Sequence, residues 1–160
     1  MVPILPFTTE EVWDVMPAFK GKEESIHLEE FPAFKEKWLD DDLFQERENL
    51  GLAREKVLKE LEIARKEELI GNSLEAKVVL KVPSSQQELL KKYEEELPSL
   101  FIVSAVELQS QSGEELEAKV SKAPGLKCQR CWNFSPYVGK NSEYPHFCKR
   151  CEEVVKKMNS

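Results

Sequence analysis

Residues 128–151 read CQRCWNFSPYVGKNSEYPHFCKRC and hold all four cysteines of a 160-residue chain. The pattern is Cys-x2-Cys, an interval of sixteen residues, then a second Cys-x2-Cys. It falls in the range of four-thiolate zinc sites. Two residues between cysteines let one tight turn aim both sulfurs at a point, and the interval brings a second turn to the other side. Cys128, Cys131, Cys148 and Cys151 are therefore expected to close a tetrahedron around one Zn2+ at roughly 2.3 Å zinc–sulfur distances. With all four positions filled by protein, the metal is expected to be structural and not water-activating.

Two other readings of the cysteines compete with zinc. A pair of disulfides suits a secreted scaffold that spreads its cysteines over the fold. The N-terminal MVPILPFTTEE has neither the basic leader nor the long apolar core of a secretory signal. A redox CxxC normally follows a strand and opens a helix in a larger α/β unit, and two such motifs side by side argue for metal. His146, two residues before Cys148, is a possible substitute for a thiol; the spacing favours the cysteines and leaves His146 as a loop residue or a partner to the sulfurs.

Outward from this module, composition describes a helix-rich chain of 41% hydrophobic and 33% charged residues. No apolar run approaches the ~20 residues of a membrane span. The net charge of −7 is unevenly laid out, for residues 121–160 carry eight Lys and Arg against three Glu, while the rest is strongly acidic. A compact basic module on an acidic body is how a nucleic-acid contact is commonly separated from its scaffold. The same lysines also serve simply to keep a small knuckle in solution, and charge alone does not decide between the two.

Upstream, Thr8 with Glu11 matches a capping box for a short helix rich in Val12, Trp13, Val15 and Met16. That helix is too apolar to stand alone, and is expected to dock on the long helix or to close a preceding domain. SIHLEEFP (25–32) reads as extended with Ile26, Leu28 and Phe31 inward, and His27 as structural. Phe34 and Trp38 read as a buried helical pair. Asp40 to Asp42 open a long helix over about 42–70, with Leu43, Leu50, Val57 and Ala64 at heptad spacing. Glu55–Lys59 and Glu62–Lys66 supply i,i+4 pairs. Gly51 is read as a weak point marking close packing, and Gly71 as the left-handed terminator.

LEAKVVLKV (74–82) alternates like a strand with one wet face. A helix capped by Ser85 and Glu88 then runs to Leu97, where Pro98 ends it, and strands follow at 100–108 and 115–123. Pro124-Gly125 is read as a hinge. The expected class is α+β, with the divisions 1–72 (helical), 73–123 (a β-α-β-β mini-domain) and 124–160 (the zinc module). No phosphate-binding glycine loop, GxSxG or HExxH is present, so nothing in these residues points to bond-making chemistry.

The sequence resembles one family over most of its length. KCQRCWNFSPYVGKNSEYPHFCKRC (127–151) is similar to the C-terminal zinc module of bacterial isoleucyl-tRNA synthetases, with its KC-x-RCW opening, VG loop and C-x-RC close. ARKEELIGNSLEAKV resembles that family's helix-to-strand passage, PILPFTTEEVW the last helix of its anticodon-binding bundle, and SIHLEEFP the segment after it. The resemblance implies an enzyme that joins isoleucine to its tRNA with ATP, through catalytic and editing domains bearing HIGH and KMSKS. Those signatures are not in this stretch, and the terminal KKMNS is only superficially similar to KMSKS. The expectation is a non-catalytic C-terminal portion of a cytoplasmic, monomeric enzyme, whose partners are the isoleucine tRNA and its own catalytic and editing domains.

Under that resemblance Arg130, Trp132, Lys149, Arg150 and Lys127 become candidate tRNA contacts. Trp132 either stacks on an unpaired base or plugs a module too small for a core. The lysines are expected to attract phosphate more than to read bases. The competing classes are an independent zinc-dependent RNA-binding adaptor and a purely structural, zinc-stabilised interaction module. A related zinc finger occurs in DNA-repair glycosylases, which lack the IGNSLEAKV region.

Overall fold

The computed structural model describes residues 2–158, so Met1 and the last two residues of KKMNS lie outside the described residues. The chain forms two compact units, one ending at Asp40 and the other beginning at Asp41.

The first unit is organised by Trp13, the buried residue of helix α1 (Pro6–Val15). Phe19 meets its ring edge-on at 5.7 Å. The Lys22 ammonium lies over the same ring and donates to the carbonyls of Trp13 (2.7 Å) and Met16 (2.9 Å). A cation there satisfies carbonyls that a helix C-terminus leaves free. The expected Thr8–Glu11 capping box does not form. The helix starts earlier, with Leu5 as N-cap and Pro6 in the first turn, where its fixed φ suits a helix start.

Two further expectations for this unit fail. Residues 25–32 are not an extended segment; Ile26–Leu28 make a 3-10 turn, with Leu28 and Phe31 exposed. Residues 33–39 hold only a 3-10 turn at Glu36–Trp38, and Phe34 and Trp38 are 72% and 61% exposed. One turn of helix has no face on which residues four apart can meet, so the pair cannot form.

In the second unit a long helix, α2 (Asp41–Lys66), buries Ala53, Val57, Leu61 and Ala64. Asp41 and Asp42 place negative charge on its first turn, where the helix dipole favours it. The buried stripe starts later than the heptads suggested, since Leu43 is 54% exposed. Glu62 pairs with Arg65, three residues on. The helix ends before Gly71, with Glu68 taking the left-handed conformation (φ 57). That early reversal delivers Ile70 to the core, 3% exposed, and costs about 1–2 kcal/mol of backbone strain. Gly51 marks no close packing, as a Cβ there would meet nothing within 4 Å.

The mini-sheet has β1 (Ala76–Pro83) at its centre, parallel to β2 (Ala105–Gln111) and antiparallel to β3 (Glu117–Lys122). Val78 stands opposite Val106 on one side and Val120 on the other. Ala76, Val78, Leu80 and Val82 join one core with the α2 stripe, and Lys77 and Lys81 pair with Glu107 and Glu117. The single helix expected between β1 and β2 is two. The first, α3 (Ser84–Lys92), has no side-chain cap and stops at Tyr93. The second, α4 (Leu97–Phe101), carries Pro98 in its first turn, so the proline starts a helix here and does not end one. Ile102 then turns left-handed (φ 57), burying Phe101 and Val103 and delaying the strand to Ala105.

The remaining elements are a two-residue hairpin, β4 (Leu126–Lys127) with β5 (Phe134–Ser135), and the C-terminal helix α5 (Lys149–Met158). Pro124-Gly125 is not a free hinge. Gly125 adopts φ 91, and a Cβ would sit 2.2 Å from the Ser135 carbonyl carbon, so the backbones touch there. Ser104 Oγ accepts from the Phe134 N–H at 2.7 Å and donates to the Leu74 carbonyl, fastening the hairpin to the sheet.

Candidate metal centre and its cation surface

The β4–β5 hairpin makes the first cysteine turn. The Cys128 N–H donates to the Asn133 carbonyl and the Trp132 N–H to the Cys128 carbonyl, both at 2.9 Å. Closing so tight a loop forces Trp132 into the left-handed region (φ 67), an uncommon place for a bulky side chain. The second turn leads into α5, where the Glu152 N–H reaches the Cys148 carbonyl at 3.0 Å and sets Cys151 in the first helical turn. The two turns are tied directly, for the Gln129 N–H donates to the His146 carbonyl (3.0 Å) and the Cys148 N–H to Cys128 Sγ (3.3 Å).

These bonds gather the four sulfurs within 4.8 Å of one another. Cys131 Sγ and Cys148 Sγ are 3.7 Å apart and all four cysteines are free. A zinc–sulfur distance of roughly 2.3 Å implies a tetrahedral edge of about 3.8 Å, so the donor set fits zinc. His146 contributes its backbone to the turn and exposes its side chain. Burial raises the Cys128 thiol, but the backbone N–H groups of Cys131, Cys148 and Arg130 outweigh it and bring the pKa down to about 6. Burial, with the neighbouring sulfurs, pushes Cys148 up to about 12. Four sulfurs this close repel one another as thiolates, and a divalent cation is what allows all of them to ionise together.

The basic candidates all lie in this module. The Lys127 ammonium sits over the Trp132 ring at 5.3 Å, and Trp132 is 60% exposed. It is therefore not a buried plug. Arg130 Nη1 lies 3.7 Å from Cys151 Sγ. A hydrogen bond to Cys131 raises the Arg150 pKa above its usual value. Lys149 is exposed as the first residue of α5.

Sequence reasoning missed Glu152, which is only 6% exposed. Its carboxylate accepts from Lys156 Nζ (2.6 Å), Tyr137 Oη (2.7 Å) and Asn141 Nδ2 (2.7 Å). Lys156, followed by Tyr137, holds its pKa below the ordinary carboxylate range. The group thus pins the sixteen-residue loop to α5. The one readable hint was the i,i+4 spacing of Glu152 and Lys156.

Comparison with known proteins agrees with this geometry. The anticodon-binding domain of tRNA ligase matches residues 1–80. The chain belongs to that family. Residues 125–154 match a second family, described as the zinc finger found in FPG and IleRS, which with the clustered cysteines supports a structural zinc in this module. Curated relatives cover the whole chain. It is 44% identical to an isoleucine–tRNA ligase of Syntrophotalea carbinolica over 97% of the chain. It is 43% and 44% identical to those of Kosmotoga olearia and Carboxydothermus hydrogenoformans over 100%. In each case the chain spans 18% of the relative's length. Among the described residues no helix is long and apolar enough to cross a membrane.

Proposed function

We propose that this chain is the tRNA-facing C-terminal portion of an isoleucine–tRNA ligase, contributing to the placement of the tRNA anticodon region while ATP-dependent attachment of isoleucine takes place on catalytic and editing domains elsewhere in the same polypeptide. The similarity to three isoleucine–tRNA ligases over essentially the full chain carries this reading. The partner is the isoleucine tRNA, the setting is the cytoplasm, and the enzyme is a monomer. The functional segments are 1–72, 73–123 and 124–160.

Within the last segment, Cys128, Cys131, Cys148 and Cys151 ligate one Zn2+, which when bound supplies rigidity and no reactivity. The residues around it do the recognition. Trp132, exposed beside Lys127, offers a face on which an unpaired base stacks; base–aromatic stacking contributes about 1–3 kcal/mol. Lys127 and Lys149 attract phosphate, and Arg130 and Arg150 add fixed positive charge on the same module.

The test is a binding titration of the zinc-loaded chain against cognate and non-cognate tRNA at two salt concentrations, with Trp132→Ala alongside. Tighter cognate binding, lost in Trp132→Ala and weakened at high salt, supports the proposal. Equal or absent binding of both tRNAs in a folded, zinc-loaded chain makes the module a structural terminus.

A further inference from the structure

We propose that Arg130 is a positioning residue of the metal centre, laying its guanidinium across the cluster onto a sulfur of the opposite cysteine turn, and that Arg150, at the matching place of the second turn, does the same for the first. Both occupy the third place of a Cys-x-Arg-Cys sequence, CQRC at 128–131 and CKRC at 148–151. The contact crosses the cluster. Arg130, from the first turn, reaches Cys151 Sγ of the second at 3.7 Å. Arg150 holds the matching place in the second turn, next to Cys151, and the same kind of contact is inferred from it to the first turn. The other cations are used differently: Lys127 covers Trp132, and Lys156 serves Glu152.

The chemistry explains why two arginines belong there. Four thiolates around Zn2+ leave a net charge of −2, and two guanidiniums cancel it locally. A planar guanidinium offers several N–H groups in a fixed fork, so it donates to sulfur while its outer edge stays in water. An N–H···S bond withdraws electron density from the thiolate, making it harder to protonate or displace. Partners of this kind typically tune metal affinity by roughly tenfold to hundredfold. The inference rests on the sulfur geometry and stands independently of the tRNA reading.

The experiment measures zinc affinity by chelator competition, and the thiolate-to-metal charge-transfer band after cobalt substitution, on the full chain. Variants are Arg130→Gln, Arg150→Gln and, as a cation of the same module without a sulfur contact, Lys140→Gln. The expected result is a roughly tenfold to hundredfold loss of affinity in each arginine variant, with the band moved to lower energy as the sulfurs become more electron-rich. Lys140→Gln leaves both readings unchanged. Parent affinity in both arginine variants overturns the proposal. So does an equal loss in Lys140→Gln, which is bulk charge, or a loss with an unmoved band, which is general loosening.

Discussion

Between Ala76 and Lys122 the chain buries Val78, Leu80, Val82, Leu90, Leu97, Phe101 and Val103 almost completely, and α2 adds Val57 and Leu61. From Gly125 to Met158, among the described residues, the buried apolar side chains are Val138 and three cysteines. The first region gains roughly 1.5–3 kcal/mol for each large aliphatic or aromatic side chain taken from water, set against the entropy of ordering the chain. The second has too little such surface, and its order has to come from a few directed bonds: sulfur to metal, and donors to Glu152. Adjoining parts of one unit therefore yield to different reagents. Denaturant addresses the core; chelator and acid address the knuckle.

Breaking each region separately sharpens this contrast. Cys151→Ser should have the largest effect, dropping bound zinc well below one ion per chain and unfolding residues near 125–158, as measured by metal content and by amide exchange. The β1–β3 sheet should keep its protection. Phe101→Ala should do the converse, costing about 3–5 kcal/mol in the denaturant unfolding of the sheet core while zinc stays bound below the transition.

Glu152→Gln should act on the knuckle through pH. The Glu152 pKa is depressed in the folded chain, so its carboxylate adds stability above the ordinary carboxylate range, and that contribution is lost as pH falls through the depressed value. Amide exchange in residues 137–147 should therefore be faster in Glu152→Gln than in the parent near neutrality. The gap should narrow as acid protonates the parent's Glu152. A gap that is constant with pH would assign the effect to shape and not to charge. Gly51→Ala should be the smallest change and of opposite sign. With open space at its Cβ, alanine should stabilise α2 by up to about 1 kcal/mol, seen as a modest rise in Tm with zinc affinity unaltered.

The cysteine spacing and the alternation of Ala76, Val78, Leu80 and Val82 were legible because each is a local, periodic signal that the fold uses directly. Phe34 and Trp38 misled because spacing of four implies contact only once a helix exists, and the chain there makes a single 3-10 turn. Gly71 and Pro98 also misled. Burial of Ile70 and Phe101 moved the reversals to Glu68 and Ile102, residues with no intrinsic preference for a left-handed backbone. In the site, the ligand-like thiols were readable, but nothing in CEEVVKK says that Glu152 faces inward while Glu153 faces water. That choice is made by Tyr137 and Asn141, contributed by the loop it holds.

The most direct measurement is amide hydrogen exchange on the full chain, with zinc bound and after chelation, at one pH and temperature. Chelation is expected to remove protection across the cysteine turns, the intervening loop and α5, while β1, β2, β3 and the buried stripe of α2 exchange as before. Protection lost together in both regions, or retained in both, would contradict the claim that metal stands in for a core in one and apolar burial serves in the other.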